Sequence, residues 1–420
     1  MNKHYQIVII GGGTAGVTVA SRLLRKNQNF KGEIAIIDPA DHHYYQPLWT
    51  LVGAGVSSLK SSRKDMESVI PEGAHWIKQA VSSFQPENNS VILGDNTVVY
   101  YDFLVVAPGL QINWSSIKGL KENIGKNGVC SNYSPDYVNE TWNQISNFKQ
   151  GNAIFTHPNT PIKCGGAPMK IMYLAEDYFR KHKIRSNANV IYATPKEALF
   201  DVGKYNKELE RIVEERNITV NYNYNLVEID GDKKVATFEH IKTYDRKTIS
   251  YDMLHVTPPM GPLDVVKEST LSDSEGWVDV NPTTLQHKSY SNVFALGDAS
   301  NVPTSKTGAA IRKQAPIVAN NLLQVMNNQM LTHHYDGYTS CPIVTGYNRL
   351  ILAEFDYNKN TKETMPFNQA KERRSMYIFV SYTYHRDHET QRHHVCRIMR
   401  EKKNQTKKSQ HTTQTKKTKK

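Results

Sequence analysis

The sequence predicts an α/β fold: two Rossmann-like domains built from parallel β-α-β units, followed by a small C-terminal domain. Three observations carry this. Residues 5–10, YQIVII, form an uninterrupted apolar run of the kind a strand buried on both faces shows, and a glycine cluster follows at once. A second alternation of apolar runs and amphipathic segments begins near Gly151. The chain has 420 residues, 39% hydrophobic and 22% charged, which is ordinary for a globular protein large enough for two or three domains. No run approaches the roughly 18 to 20 apolar residues of a membrane span, so any membrane contact is expected to be peripheral.

Each element follows in order. After the first strand, GGGTAGVTVASRLLRKN reads as a tight turn feeding a helix with Val17, Ala20, Leu23 and Leu24 on one face, and GEIAIID is the next buried strand, ending in Asp38. From Gly151 the order is strand NAIFT, a loop containing Cys164, helix MKIMYLAEDYFRK, strand ANVIYAT, helix NKELERIVEERN and then ITVNYN. SNVFALGDASN holds another buried strand, and KTGAAIRKQAPIVANNLL reads as a helix. From Thr332 the chain turns aromatic and proline-containing, which predicts strands and loops packed on the earlier layers. The resulting division is 1–114 with 286–331 as the first Rossmann-like domain, 115–285 as the second, 332–377 as the C-terminal domain, and 378–420 as a basic tail expected to be disordered.

The net charge of +12 belongs to that end of the chain. Residues 371–420 carry 15 Lys/Arg against 4 Asp/Glu, whereas the preceding 370 residues net +1, so no nucleic-acid partner is expected of the folded body. Four scattered cysteines, Cys130, Cys164, Cys341 and Cys396, fit neither a secreted disulfide framework nor a zinc site, and no metal is expected.

Gly11-Gly12-Gly13-Thr14-Ala15-Gly16 fits GxGxxG with a strand before it and a helix after, and Asp38 ends the next strand. Gly11 permits the turn, Gly13 lets backbone approach a pyrophosphate, Gly16 allows close helix packing, and Asp38 accepts ribose hydroxyls, all in front of a helix N-terminus that favours negative charge. Two further stretches, YDFLVVAPG ending in Ala107-Pro108-Gly109, and VFALGD ending in Gly297-Asp298, are strands running into small-residue turns. They resemble the ATG-type and GD-type motifs of the two-dinucleotide-domain flavoproteins of the FAD/NAD-linked reductase type. That resemblance implies FAD at the first site.

In most of those flavoproteins the strand after Gly151 leads into a second glycine motif for a nicotinamide. Here it leads into THPNTPIKCGGAPMK, where Pro158, Pro161 and Pro168 remove backbone N–H donors. The electron donor is therefore not expected to be a nicotinamide. Cys164 in this loop and Cys341 in GYTSCPIVTGYN both stand beside prolines or glycines in different domains. A dithiol/disulfide pair is one way to relay two electrons to a flavin from a donor that carries no hydride. On spacing alone, two buried inert thiols are the more ordinary reading.

The segments YYQPLWTLVGAG, GVCSNYS, GNAIFTHPNTPIKCGGAP, MLHVTPPM, LGDASNVPTSKTGAA and YDGYTSCPIVTGYNRLILAEFDY resemble sulfide:quinone oxidoreductases of the mitochondrial type, over about residues 5–377. The resemblance implies that Cys164 and Cys341 are the redox-active pair: hydrogen sulfide attacks the cystine, a persulfide forms on Cys341, and Cys164 as thiolate reduces the flavin. The sulfur then passes to glutathione or sulfite, and ubiquinone takes the electrons. It also implies that Gln46 and Pro47 lie near the flavin and that the protein sits peripherally on the mitochondrial inner membrane. Cys130 is read as a bystander, and Cys396 has no counterpart. Lys306 either stabilises anionic reduced flavin at a helix N-terminus or is a solvated lysine.

Two departures stand out: here an apolar strand starts by Tyr5 where members of that family begin with a transit peptide, and the basic tail replaces their membrane-docking helices. Other readings are an NADH:quinone oxidoreductase, which would keep the second glycine motif; a flavocytochrome sulfide dehydrogenase, whose acceptor is a cytochrome; and a flavin-containing DNA-binding factor, which would need a basic body.

Overall fold

Lys3–Ile10 (β1) forms the spine of the first sheet in the computed structural model, which describes residues 3–380. Ile7, Val8 and Ile9 are fully buried, as expected of a strand covered on both faces, and each such side chain contributes about 1.5–3 kcal/mol. Ile34–Ile37 (β2) lies parallel on one side of β1, and Ala74–Ile77 (β3) continues beyond it. Val81–Gln85 (β4) and Ser90–Leu93 (β5) form an antiparallel hairpin that feeds Val98–Val106 (β6), the other neighbour of β1. The first half of β6 pairs with β5 and its last three residues pair with a distant strand, so the sheet forks there.

Helix α1, Thr14–Lys26, forms because Val17, Ala20, Leu23 and Leu24 line one buried face, and Arg25 and Lys26 complement its C-terminal dipole. Val129–Cys130 (β7), Gly151–Thr156 (β8), Ala188–Thr194 (β9), Thr219–Tyr222 (β10) and Met253–His255 (β11) make a second, all-parallel sheet in the order β7-β11-β8-β9-β10. Helices α2, Ala167–Lys181, and α3, Gly203–Glu215, are its crossovers. A three-stranded antiparallel meander, Tyr224–Asp230, Val235–His240 and Arg246–Ser250, follows β10.

The chain then returns to the first sheet, where Val293–Ala295 (β12) lies parallel to the end of β6 and leads into α4, Gly308–Met326. Thr339–Gly346 (β13) and Arg349–Phe355 (β14) close the fold as an antiparallel hairpin. Residues through Tyr377 form one unit. The expected α/β architecture is present, with mixed rather than purely parallel strands in the first sheet. The hairpin of β4 and β5 and the meander were not anticipated, being short alternating strands without a glycine-rich signature. Most of the tail, with Cys396, lies outside the described residues. Among the described residues no helix is long and apolar enough to cross a membrane.

Candidate active site

The loop 157–166 joins β8 to α2 at the position where a second glycine motif would stand. Its Cys164 has φ 55°, a left-handed conformation that a side-chain-bearing residue rarely takes. Three contacts hold it: Cys164 N–H donates to the Lys306 carbonyl at 2.9 Å, Ala167 N–H donates to the Cys164 carbonyl at 2.8 Å, and Lys163 and Lys306 form a parallel bridge. The thiol is thereby aimed at β13, and Cys164 Sγ lies 3.4 Å from Cys341 Sγ. A cystine needs the two sulfurs about 1.4 Å closer, within reach of side-chain rotation.

Glycine is required opposite this pair. A Cβ on Gly166 would stand 2.7 Å from Cys341 Sγ, so the missing side chain is what lets α2 start against the second sulfur. One turn further along, Lys170, 7% exposed, donates from Nζ to Cys164 Sγ at 3.2 Å. The hydrogen bond from the Cys341 thiol, followed by the Lys170 charge, holds the Cys164 thiol well below the ordinary range despite its burial. The same hydrogen bond and burial push Cys341 up. One sulfur is thus poised as thiolate and the other as thiol. Around Cys164 the wall is apolar: Tyr133, Ile162, Ala167 and Met260, with Leu110 and Ile112 against them. Cys130 is fully buried in β7, where burial pushes its thiol far up, as for an inert packing residue.

The residues read as a dinucleotide cradle are brought together at the ends of β1, β6 and β12. Gly11, at φ 100°, has its α-carbon so close to Ala107 that an added Cβ would sit 2.3 Å from the Ala107 carbonyl. A Cβ on Gly16 would sit 2.0 Å from the Gly11 carbonyl, so only glycine lets α1 pack this near the turn. Nothing lies within 4 Å of a Cβ built on Gly13 or Gly109, which leaves open space in front of the α1 N-terminus, and no side chain caps that helix. Thr14 and Ala15 open the helix there, with N–H groups that have no intrahelical acceptor. Asp38 accepts from Gly12 N–H at 2.7 Å and Ala40 N–H at 2.8 Å, fixing its carboxylate at the end of β2. This cradle fits a pyrophosphate and an adjoining ribose.

Pro108 follows Ala107, whose N–H donates to Ile10, and Gly297 takes φ 70° ahead of Asp298 while donating to Gln314 Oε1 at 2.9 Å. Lys306 lies just ahead of α4, whose first turn is capped by Thr307. Its ammonium donates to the carbonyls of Asp298 at 2.7 Å and Ser300 at 3.1 Å and sits 3.8 Å over the Trp277 ring. Burial lowers it to about 8, with Asp298 opposing. Gln46 accepts from Lys163 Nζ at 2.8 Å, and burial lowers the Lys163 ammonium too. The adjacent histidines point apart: His43 is buried with Nδ1–H donating to the Gly12 carbonyl, and His42 faces Asp65.

Sequence reasoning missed Lys170 and Lys163, although both flank the cysteine within IKCGGAPMK. The available signal was spacing, since a residue four past Gly166 returns to the face on which the helix begins.

Fold and site together define an oxidoreductase of the two-Rossmann type with a close cysteine pair in the loop where a second glycine motif would stand. Residues 5–140 match the pyridine nucleotide-disulphide oxidoreductase family model. The chain is 52% identical over 369 residues to a mitochondrial sulfide:quinone oxidoreductase of Dictyostelium discoideum, covering 87% of this chain and 81% of that one. It is 48% identical over 377 residues to the mitochondrial enzyme of Mus musculus, covering 90% and 83%. A solved sulfide:quinone oxidoreductase from the hyperthermophilic bacterium Aquifex aeolicus shares the fold, with a TM-score of 0.78 at 18% identity, covering 91% of this chain and 90% of that one. The chain belongs to the sulfide:quinone oxidoreductase family.

Proposed function

We propose that this protein oxidises hydrogen sulfide through the Cys164/Cys341 pair and delivers the electrons, by way of FAD, to ubiquinone. The observation that carries the reading is the pair itself: two sulfurs 3.4 Å apart and 177 positions apart along the chain, with Lys170 hydrogen-bonded to Cys164.

That asymmetry sets the direction of the chemistry. When the pair is a cystine, hydrosulfide attacks Cys341 Sγ, the S–S bond breaks, and Cys164 leaves as the thiolate, because the sulfur with the lower pKa is the better leaving group and Lys170 compensates its charge. Cys341 then carries the persulfide. A nucleophilic acceptor, glutathione or sulfite, takes the terminal sulfur and releases Cys341 as thiolate. Loss of an electron pair from the two sulfurs re-forms the cystine.

FAD, when bound, would supply the two-electron carrier between the cysteine pair and the quinone. Gly11, Gly13, Thr14, Ala15 and Gly16 would hold its pyrophosphate, Asp38 its ribose and Asp298 with Gly297 its ribityl chain. Ala107, Pro108 and Gly109 would line the turn beside it, and Gln46 and Lys306 would flank the ring system. The apolar wall around Cys164 excludes water, which keeps the Lys170 charge effective. The names of the relatives support placement in the mitochondrion, and we extend it to the inner membrane, where the quinone resides.

Flavin-loaded protein is expected to bleach on addition of sulfide and to recover its absorbance with a short-chain ubiquinone. Cys164→Ser and Cys341→Ser are each expected to cut sulfide-driven bleaching by at least about 100-fold. Bleaching by NADH in place of sulfide would overturn the reading.

A further inference from the structure

Beside the cysteine pair stand two buried hydroxyls that face no polar group but each other. Tyr133, on the loop after β7, is 6% exposed, and Thr257, just past β11, is 1% exposed. Tyr133 belongs to the same packed cluster as Cys164, Ile162, Ala167 and Met260. Its ring is therefore part of the wall against which the sulfurs lie. Thr257 Oγ1 approaches Tyr133 Oη closely enough to act on its ionisation but short of full hydrogen-bond geometry, and neither oxygen has another partner among the described residues. Burial, then the charge of Cys164, raises the Tyr133 phenol far above its ordinary value, so it remains an O–H donor at every working pH.

Buried hydroxyls are almost always satisfied, and two unsatisfied ones side by side at a reactive centre point to a guest. The guest must be small, must accept hydrogen bonds, and gains from the neighbouring Lys170 charge. We infer that Tyr133 and Thr257 form the seat for the hydrosulfide anion, donating hydrogen bonds that hold it against the Cys164/Cys341 cystine before attack. The inference rests on the proposed sulfide chemistry and adds a substrate-binding role for two residues outside the cysteine loops. Neither hydroxyl takes part in bond making. They position the nucleophile and offset the loss of its hydration.

The test is Tyr133→Phe, which removes one oxygen and keeps the packed ring, with Thr257→Val as the second variant. One readout needs no flavin. The oxidised protein is exposed to low sulfide without quinone, and the persulfide on Cys341 is trapped by alkylation and counted by mass spectrometry. Both variants are expected to need about tenfold more sulfide than the wild type for half-maximal persulfide, the usual cost of one hydrogen bond to a charged group. In turnover the KM for sulfide rises by the same factor, while kcat and the KM for quinone stay within about twofold. The melting temperature of Tyr133→Phe is expected to hold or rise, since an unpaired buried hydroxyl is removed.

Wild-type sulfide dependence in both variants overturns the inference, as does a variant that loses stability and kcat together with KM unchanged. A wild type whose flavin and cystine ignore sulfide sinks the underlying sulfide chemistry first, and the seat with it. A wild type that reacts while both variants are indistinguishable from it removes the seat alone.

Discussion

Cys164 concentrates the physics of the site in one residue. Its backbone is strained at φ 55°, which persists only because the Lys306 carbonyl and the start of α2 hold both sides of it. The strain turns Sγ toward Cys341 on one side and Lys170 on the other. The thiolate is the reactive form, so alkylation rate rises with pH and levels off above the pKa. Because the Cys164 pKa is lowered, reduced protein is expected to be alkylated at Cys164 at neutral pH, below the value of about 8.5 at which an ordinary thiol half-ionises. Cys341, pushed the other way, and Cys130, buried, stay unlabelled. Lys170→Gln is expected to move the Cys164 midpoint to higher pH, measured by peptide mass spectrometry across a pH series, and an unmoved midpoint would show that the lysine is a spectator. In the reduced protein the lowered pKa also adds stability above the unfolded thiol's pKa, and that contribution is lost as pH falls through the folded value.

Elements bring these residues into range through what their first turns omit. Helix α2 begins against Cys341 because Gly166 has no Cβ, and Gly166→Ala would place a methyl 2.7 Å from that sulfur. The substitution is expected to part the thiols, leaving free-thiol counts of the air-oxidised protein two higher than in the wild type. Helix α1 repeats the logic at the cradle, where Gly16→Ala would drive a methyl to 2.0 Å from the Gly11 carbonyl. Backbone cannot yield there, so loss of bound flavin and a destabilisation of about 1–3 kcal/mol by thermal denaturation are expected. These helices and the strands β1, β8 and β9 were legible in the sequence, because buried apolar runs and a glycine-led helix start are local patterns. Lys170 was not, because a lysine in the second turn of a helix looks solvated until the sulfur it faces is known.

Over the whole unit, the C-terminal hairpin is what carries the second sulfur to the loop of Cys164, and its anchors reach Ala54, helix α3 and the start of α4. Tyr347 Oη donates to the Ala54 carbonyl at 2.7 Å, Tyr205 Oη to the Glu354 carbonyl at 3.2 Å, and Thr307 and Thr339 share a hydrogen bond at 2.8 Å. Arg216, at the end of α3, pairs with Glu372 at 2.7 Å, reaches the Thr345 carbonyl, and lies 3.6 Å from the buried carboxylate of Glu176 on α2. Arg216→Ala leaves two largely buried carboxylates short of a partner. It is expected to cost about 3 kcal/mol in denaturant unfolding, and a loss below about 0.5 kcal/mol would mean the neighbouring arginines suffice.

Contiguous residues were enough to lay down the two α/β layers, the glycine turn from Gly11 to Gly16 with Asp38 at the next strand end, and a proline-bound cysteine loop in place of a second glycine motif. All of these are written in contiguous residues or in fixed spacing along one β-α-β unit. Only the tertiary structure decided that Cys164 and Cys341, 177 positions apart, come to 3.4 Å. It alone set the Lys170 ammonium against Cys164 Sγ, and it alone left the hydroxyls of Tyr133 and Thr257 with no polar neighbour but each other beside the pair. The reason is physical: hydrogen-bond satisfaction and pKa depend on what the fold packs against a group, and separation along the chain carries no record of that.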